Sequence, residues 1–370
     1  MTASLGRRAR CVASIPSVCV IARCSRESWS LTAHKRTGTL GAIGRGRFAG
    51  TNEDAGHDTL VFAFAVGPMK RILLAVDGSQ AAMNAAKFLG HLPHDEAWTL
   101  RLISVVHRPV VHTSYGLGDV VQRAFRSDFQ NAKSHLMDVA SLFDGANVTI
   151  EQEVLEGPVG PTITKEAMHF AADLTVIGAT GQSAISRVLL GSVSDHVATH
   201  APCSVLVVRG EDHRPHPRLR IGLAYEGSEA AEAALNEITE IHWGQSCDFE
   251  LVSVADSLLI RYIEEAERWR YETHLQTAAE HIRQACPFVH THYLVAAHSG
   301  EALVHFADSQ ELDIMVIGES HRPAVSRMLL GSTSRFVLRH APCSVWITRN
   351  RVTAAAESAP DTQTATPVAT

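Results

Sequence analysis

From residue 70 onward, short apolar runs alternate with longer stretches whose apolar positions recur at helical spacing. The runs predict strands at 70–76, 98–106, 148–155, 173–178 and 204–208. The stretches between them predict helices at 79–90, 119–142, 159–172 and 192–200. The pattern then returns, with strands near 219–225, 248–255, 288–295, 313–318 and 344–348 and a long helix at 257–285. Runs rich in Val, Ile and Leu without polar alternation are strands covered on both faces, and their regular alternation with helices implies right-handed crossovers and a parallel sheet. Pro202 and Pro342 stand just before the final strand of each series, where the ladder needs no donor. The predicted fold class is α/β: two tandem open-twisted five-stranded parallel sheets flanked by helices.

The two series are copies. His200-Ala-Pro-Cys-Ser-Val205 returns as His340-Ala-Pro-Cys-Ser-Val345, and Leu189-Leu-Gly-Ser192 as Leu329-Leu-Gly-Ser332, both displaced by 140 residues. Asp77-Gly-Ser79 returns as Glu226-Gly-Ser228, displaced by 149, so the first copy is about nine residues longer in its middle. Two copies are too few for a solenoid, which makes this a tandem duplication. One domain spans 70–209, a polar linker with Pro215 and Pro217 spans 210–217, and the second domain spans 218–349. The tail, 350–370, is rich in Ala, Thr and Ser and reads as disordered.

Residues 1–68 are rich in Arg, Ser and Gly and show no sustained periodicity before Met69-Lys-Arg-Ile-Leu-Leu-Ala-Val-Asp77 begins abruptly as a strand. A targeting peptide is Arg- and Ser-rich and poor in acids, as this leader is. A secretory signal is a weaker reading, because the apolar stretch 11–22 is short and interrupted by Pro16. The expectation adopted is that translation starts at Met69 and that residues 1–68 are disordered or not translated.

The formal charge of −6 conceals an asymmetry. Residues 1–50 hold nine basic residues and one acid, leaving 24 basic and 38 acidic residues for the remainder. An acidic body argues against nucleic acid as the main partner. No segment approaches the ~20 apolar residues of a membrane span. The seven cysteines include no Cys-x-x-Cys and form no disulfide framework, so a reducing cytoplasm is the expected compartment.

Candidate chemistry concentrates after the fourth strand of the first copy, in Gly178-Ala-Thr-Gly181, nine further residues, and Gly191-Ser192. Two glycines three apart let the backbone turn tightly and approach a ligand where a Cβ would clash. Gly191 and Ser192, with Val193 and Ser194, open a helix whose free N–H groups and hydroxyl can face phosphate oxygens. Asp77 ends the first strand, at the carboxyl edge where open α/β folds place ligands; a helix cap is its alternative role. Arg187 lies inside the loop, as a solvated charge or a phosphate contact.

Val76-Asp77-Gly78-Ser79, the Gly-x2-Gly-x9-Gly-Ser loop and the closing His-Ala-Pro-Cys-Ser-Val-Leu-Val-Val together resemble the universal stress protein family, over about 70–209 and again over 218–349. The resemblance implies a nucleotide-binding α/β sandwich with a regulatory role in stress survival. It implies pairing through the last strands, of the two domains within one chain or of two chains in a homodimer. Its ligand is an adenine nucleotide: ATP, with or without magnesium. Carried onto this chain, it places Asp77 beside the nucleoside, the Val105 backbone at adenine, and Ala75 and Ile177 as walls of the base. Gly178 and Gly181 would cradle ribose and phosphates, while Gly191, Ser192, Val193 and Ser194 present donors to the phosphate chain. Core burial is the alternative for Val105, and a structural turn for the glycines. Occupancy would order the 178–191 loop and bias a regulatory protein partner.

The second copy departs from this pattern twice. Glu226 replaces the aspartate, setting its carboxylate about 1.5 Å further out, and His321 replaces the second glycine. One competent site is therefore expected, in the first domain, with the second a structural partner or a different sensor. Two rivals remain open: slow ATP hydrolysis or phosphoryl transfer in the same pocket, for which no base can be named, and a non-nucleotide interaction scaffold. A phosphoacceptor role for Asp77 lacks the accompanying acidic pair. No Walker loop or Gly-x-Ser-x-Gly elbow is present. His107 with His112, His213 with His216, and His290 with His292 are closely spaced but bring no four-ligand set. His200 and His340 read as helix C-terminal residues, Cys203 and Cys343 as buried, and Tyr262, Trp269 and Tyr271 as part of a packed amphipathic helix.

Overall fold

The structure, a computed structural model, describes residues 10–15, 18–24, 28–35, 38–47, 69–94, 97–107, 118–180, 190–210, 217–257, 265–319 and 330–349. Within 10–47 lie four strands, β1 (Arg10–Ile15), β2 (Val18–Cys24), β3 (Ser28–Lys35) and β4 (Gly38–Arg47), paired antiparallel in chain order. The sequence predicts disorder here. Its Val, Ile, Thr and Trp positions carry strand propensity, but register shifts between Leu31 and Thr32 and between Ala33 and His34 break the alternation by which a strand is read.

Residues 67–351 form a second compact unit. Its first repeat runs β5 (Arg71–Ala75), α1 (Gln80–Gly90), β6 (Trp98–Val106), α2 (Gly118–Ser141), β7 (Val148–Glu156), α3 (Val159–His169), β8 (Leu174–Gly178), α4 (Ser192–His200) and β9 (Ser204–Val208). The second runs β10 (Leu219–Ala224), α5 (Glu229–Thr239), β11 (Cys247–Asp256), α6 (Glu265–Ile282), β12 (Val289–Ala296), α7 (Ser299–Ser309), β13 (Ile314–Glu319), α8 (Ser332–His340) and β14 (Ser344–Arg349).

The strands of both repeats make one sheet, in the order β12-β11-β10-β13-β14-β9-β8-β5-β6-β7. All neighbours are parallel except β14 and β9, which pair antiparallel at Val345↔Val207, Trp346↔Leu206 and Ile347↔Val205. The two five-stranded halves are therefore joined edge to edge, which removes two open edges at once. Within each half the order reverses beside the first strand, between β5 and β8 and between β10 and β13. Such a switch point leaves a crevice at the carboxyl ends of the strands.

Both faces of the sheet are covered. Leu74, Val76, Leu89, Leu136 and Trp346 belong to one apolar core, and Leu73, Ala75, Ile163, Val197 and Ile347 to the other. Polar groups close the seam between repeats. Buried Glu237 of α5 accepts from Ser204 Oγ at 2.7 Å and from Trp346 Nε1 at 2.9 Å, and Ser204 Oγ in turn accepts from the backbone N–H of Arg349 at 2.9 Å. Among the described residues no helix is long and apolar enough to cross a membrane.

Candidate functional site

In the first repeat the carboxyl end of β5 turns into α1 through Asp77-Gly-Ser79. Ser79 is the helix cap, its Oγ accepting from Ala82 N at 3.1 Å, and exposed Asp77 accepts from Ser79 N at 2.9 Å. Gly78 has φ +77°, and a Cβ there would lie 2.2 Å from the His135 ring of α2, so this position requires glycine twice over. The second repeat builds the same turn: Gly227 has φ +75°, His274 lies 3.4 Å from its Cβ position, and Ser228 Oγ caps α5. Glu226 differs from its aspartate counterpart in accepting from the Ser228 hydroxyl, at 2.5 Å.

Gly178 ends β8 against α1, where a Cβ would stand 2.7 Å from the Ala81 carbonyl carbon. Gly318 meets the Ala230 carbonyl oxygen in the same way, at 2.2 Å. Both glycines are needed for strand-to-helix approach, whatever their backbones face. Gly191 N donates to Ala179 O at 2.7 Å, and the buried Ser194 hydroxyl donates to Gly178 O at 2.7 Å, latching the first turn of α4 onto the end of β8. That engages the Ser194 hydroxyl within the protein. The N-cap of α4, Gly191, supplies no side-chain acceptor, so the helix opens with N–H groups uncapped by side chains and with Ser192 exposed. Ala75, Val105, Ile177 and Val193 come together on the α3/α4 face, Ala75 and Ile177 buried and the two valines half-buried. Gly181, Arg187 and His321 lie outside the described residues.

A cavity of about 310 Å³ opens at the carboxyl edge of the second repeat, where the sequence predicts a degenerate crevice. Ala224, Val252, Val254, Leu303 and Ile317 form its apolar part. Its polar part comes from Glu226, Glu319, Ser299 and the Gly331–Ser334 turn. Tyr225 also contributes; its hydroxyl donates to Glu232, and burial followed by this carboxylate pushes its phenol well above the ordinary range. Glu319 is held by Arg349 Nη2 at 3.1 Å.

Sequence reasoning missed Glu319, Ser299, Thr333 and the two histidines above the turns. Aligning the copies residue by residue would have exposed the first three, since Ala179, Val159 and Val193 stand at the matching positions. Nothing in the pattern signals His135 or His274, because the contact joins elements far apart in sequence.

His292 Nε2 lies 2.6 Å from Glu250 Oε2, His290 is exposed, and no group of three or more metal-ligating side chains exists among the described residues. His112, His213 and His216 lie outside them, as does Tyr262. His200 and His340 end α4 and α8. Burial pushes the Cys203 thiol up to about 11 and that of Cys343 to about 12, which keeps both protonated and unreactive.

The model of the universal stress protein family matches residues 68–209 and 217–349. A universal stress protein of Mycobacterium tuberculosis is 26% identical over 296 residues, covering 76% of this chain and 97% of the relative. One from Methanocaldococcus jannaschii is 31% identical over 144 residues, covering 38% of this chain and 82% of its own. Among solved structures, a universal stress protein from Archaeoglobus fulgidus superposes with a TM-score of 0.56 at 20% identity, covering 76% of this chain and 98% of that one, a likeness of fold.

Proposed function

The chain belongs to the universal stress protein family, with tandem domains, and on that premise we propose that its first repeat binds ATP as a regulatory signal in stress survival. The observation that carries this reading is the opening of α4. Its N-terminus is latched through Ser194 and Gly178 to the carboxyl end of β8, the strand beside β5 at the switch point, and carries no side-chain cap. Uncapped N–H groups and the positive end of the helix dipole favour phosphate there. Ala75, Ile177 and Val105 offer an apolar wall for the base, and Asp77 an acceptor beside the nucleoside. Occupancy then changes what the protein binds through a difference in affinity between the filled and empty forms.

The test is calorimetric titration of ATP into the full chain and into Ser192→Glu. Ser192 is exposed at the first helical position, where a carboxylate favours the helix but repels phosphate. The expected result is an affinity at least tenfold weaker, about 1.4 kcal/mol. Equal affinity in both proteins removes α4 from the phosphate site.

A further inference from the structure

We propose that the cavity of the second repeat binds an unphosphorylated nucleoside, a flat heterocycle bearing a vicinal diol, and rejects its phosphorylated forms. This rests on the nucleotide reading of the first repeat, because the apolar slot is the part the two copies share. Ala75 pairs with Ile103 as Ala224 pairs with Val252, and Ile177 and Ile317 stand just before Gly178 and Gly318. A heterocycle that lies against one wall can lie against the other.

The polar lining differs in kind. Three positions that are apolar in the first repeat, Ala179, Val159 and Val193, become Glu319, Ser299 and Thr333, and all three replacements line the cavity. Glu319 follows Gly318 directly and shares the cavity with the Gly331–Ser334 turn, the counterpart of the turn read as a phosphate cradle in the first repeat. A second carboxylate, Glu226, lines the same space, and no Lys, Arg or His does so among the described residues. The guanidinium that pairs with Glu319 also holds the seam. Arg349 donates to the carbonyls of Cys203 and Ala198, at 3.0 and 2.5 Å, as well as to Glu319. Among the described residues, a phosphate entering here meets two carboxylates and no basic side chain lining the cavity. The hydroxyls of a ribose are donors as well as acceptors and match carboxylates and side-chain hydroxyls. The slot thus keeps its base-binding wall while its far end is rebuilt for a neutral polyol.

The test uses the full chain with adenosine, AMP and ATP as probes, against Ser192→Glu and Ser299→Trp. Ser299 is the half-buried first residue of α7, so an indole there plugs the cavity and leaves the first repeat intact. The expected result is saturable adenosine binding that weakens at least tenfold in Ser299→Trp, with ATP binding unchanged. In Ser192→Glu, AMP should compete with bound adenosine at least tenfold less well than adenosine itself. In the same background, Glu319→Gln should raise AMP affinity at least tenfold, since the amide oxygen still accepts from Arg349 but carries no charge. No saturable adenosine binding, adenosine binding unaffected by Ser299→Trp, or AMP competing equally overturns the proposal. Should Ser192→Glu bind ATP normally while Ser299→Trp loses adenosine, α4 is removed from the first-repeat phosphate site and this proposal stands.

Discussion

Arg209 and Arg349 cap each other's repeat. Arg349 donates to Ala198 O and Cys203 O of the first repeat at 2.5 and 3.0 Å, and Arg209 donates to Leu338 O and Ala341 O of the second at 2.6 and 3.1 Å. Each arginine stands at the end of the last strand of its own repeat and donates to carbonyls at, or just beyond, the C-terminal end of the other's final helix, where the dipole favours a cation. The pair is not symmetric in one respect: Arg349 also holds Glu319.

That asymmetry predicts unequal losses. Arg349→Ala takes the guanidinium from a largely buried carboxylate and should cost about 3–5 kcal/mol. Arg209→Ala leaves carbonyls only and should cost about 1–3 kcal/mol. Urea unfolding of the two variants measures the difference, and equal losses would argue that the Glu319 pairing contributes nothing.

Glu237 ties the seam from a third element. Glu237→Ala strands the Trp346 indole N–H and the Ser204 hydroxyl, at about 1–3 kcal/mol for each buried donor left without an acceptor. Glu237→Gln keeps the chain length and one acceptor oxygen, so its loss should be smaller. Thermal unfolding that ranks the two variants the other way contradicts this assignment.

The glycines of the first-repeat loop should respond differently to a methyl group. At Gly178 it would meet the Ala81 backbone at 2.7 Å, which cannot yield without moving α1, and overpacking of this kind costs about 1–3 kcal/mol. At Gly191, φ is −67° and the nearest atom is Ala179 O at 3.3 Å, so alanine needs only a small adjustment. A clear drop in Tm for Gly178→Ala beside a small one for Gly191→Ala is the expected pair of results. The reverse order would mean that β8 and α1 do not meet as described.

His196 makes the first repeat sensitive to acid. Burial, then the stacked His200 ring at 4.2 Å, lower its pKa, with Asp195 partly opposing. Its folded pKa lies below the unfolded value of about 6.5, so as pH falls through that value the unfolded chain takes up a proton that the folded chain resists. Stability contributed here is intact above about pH 6.5 and is lost as pH falls toward the folded pKa. The second repeat has Phe336 in this place, stacked on His340 at 4.2 Å and packed against Gly300 as His196 packs against Gly160. His196→Phe should therefore keep the packing and shrink the Tm difference between pH 7.5 and 5.5. An unchanged difference would exonerate this histidine.

The strand positions were legible because buried parallel strands are written as unbroken Val, Ile and Leu runs, as in Leu174-Thr-Val-Ile177. Helix ends were less so. The helix predicted to 172 stops at His169, and the chain reverses through Ala171 at φ +49°, a left-handed turn with no glycine to announce it. Glu311 repeats the manoeuvre at φ +48° in the second copy. The joining of β9 to β14 depends on partners some 140 residues apart, which no local period records. At the candidate site the motif glycines stood out, whereas Glu319 did not. Its meaning comes from the cavity it lines and the arginine it meets, and both are properties of the fold.

The antiparallel junction of β9 and β14 lies within one covalent chain. Identical subunits meeting along such a line would separate on dilution and would carry every substitution twice, once in each half. Here the encounter is intramolecular, so the joined state is insensitive to protein concentration. The halves are also free to drift apart chemically: a residue can remain alanine at 179 and become glutamate at 319 without forcing the same change on its twin.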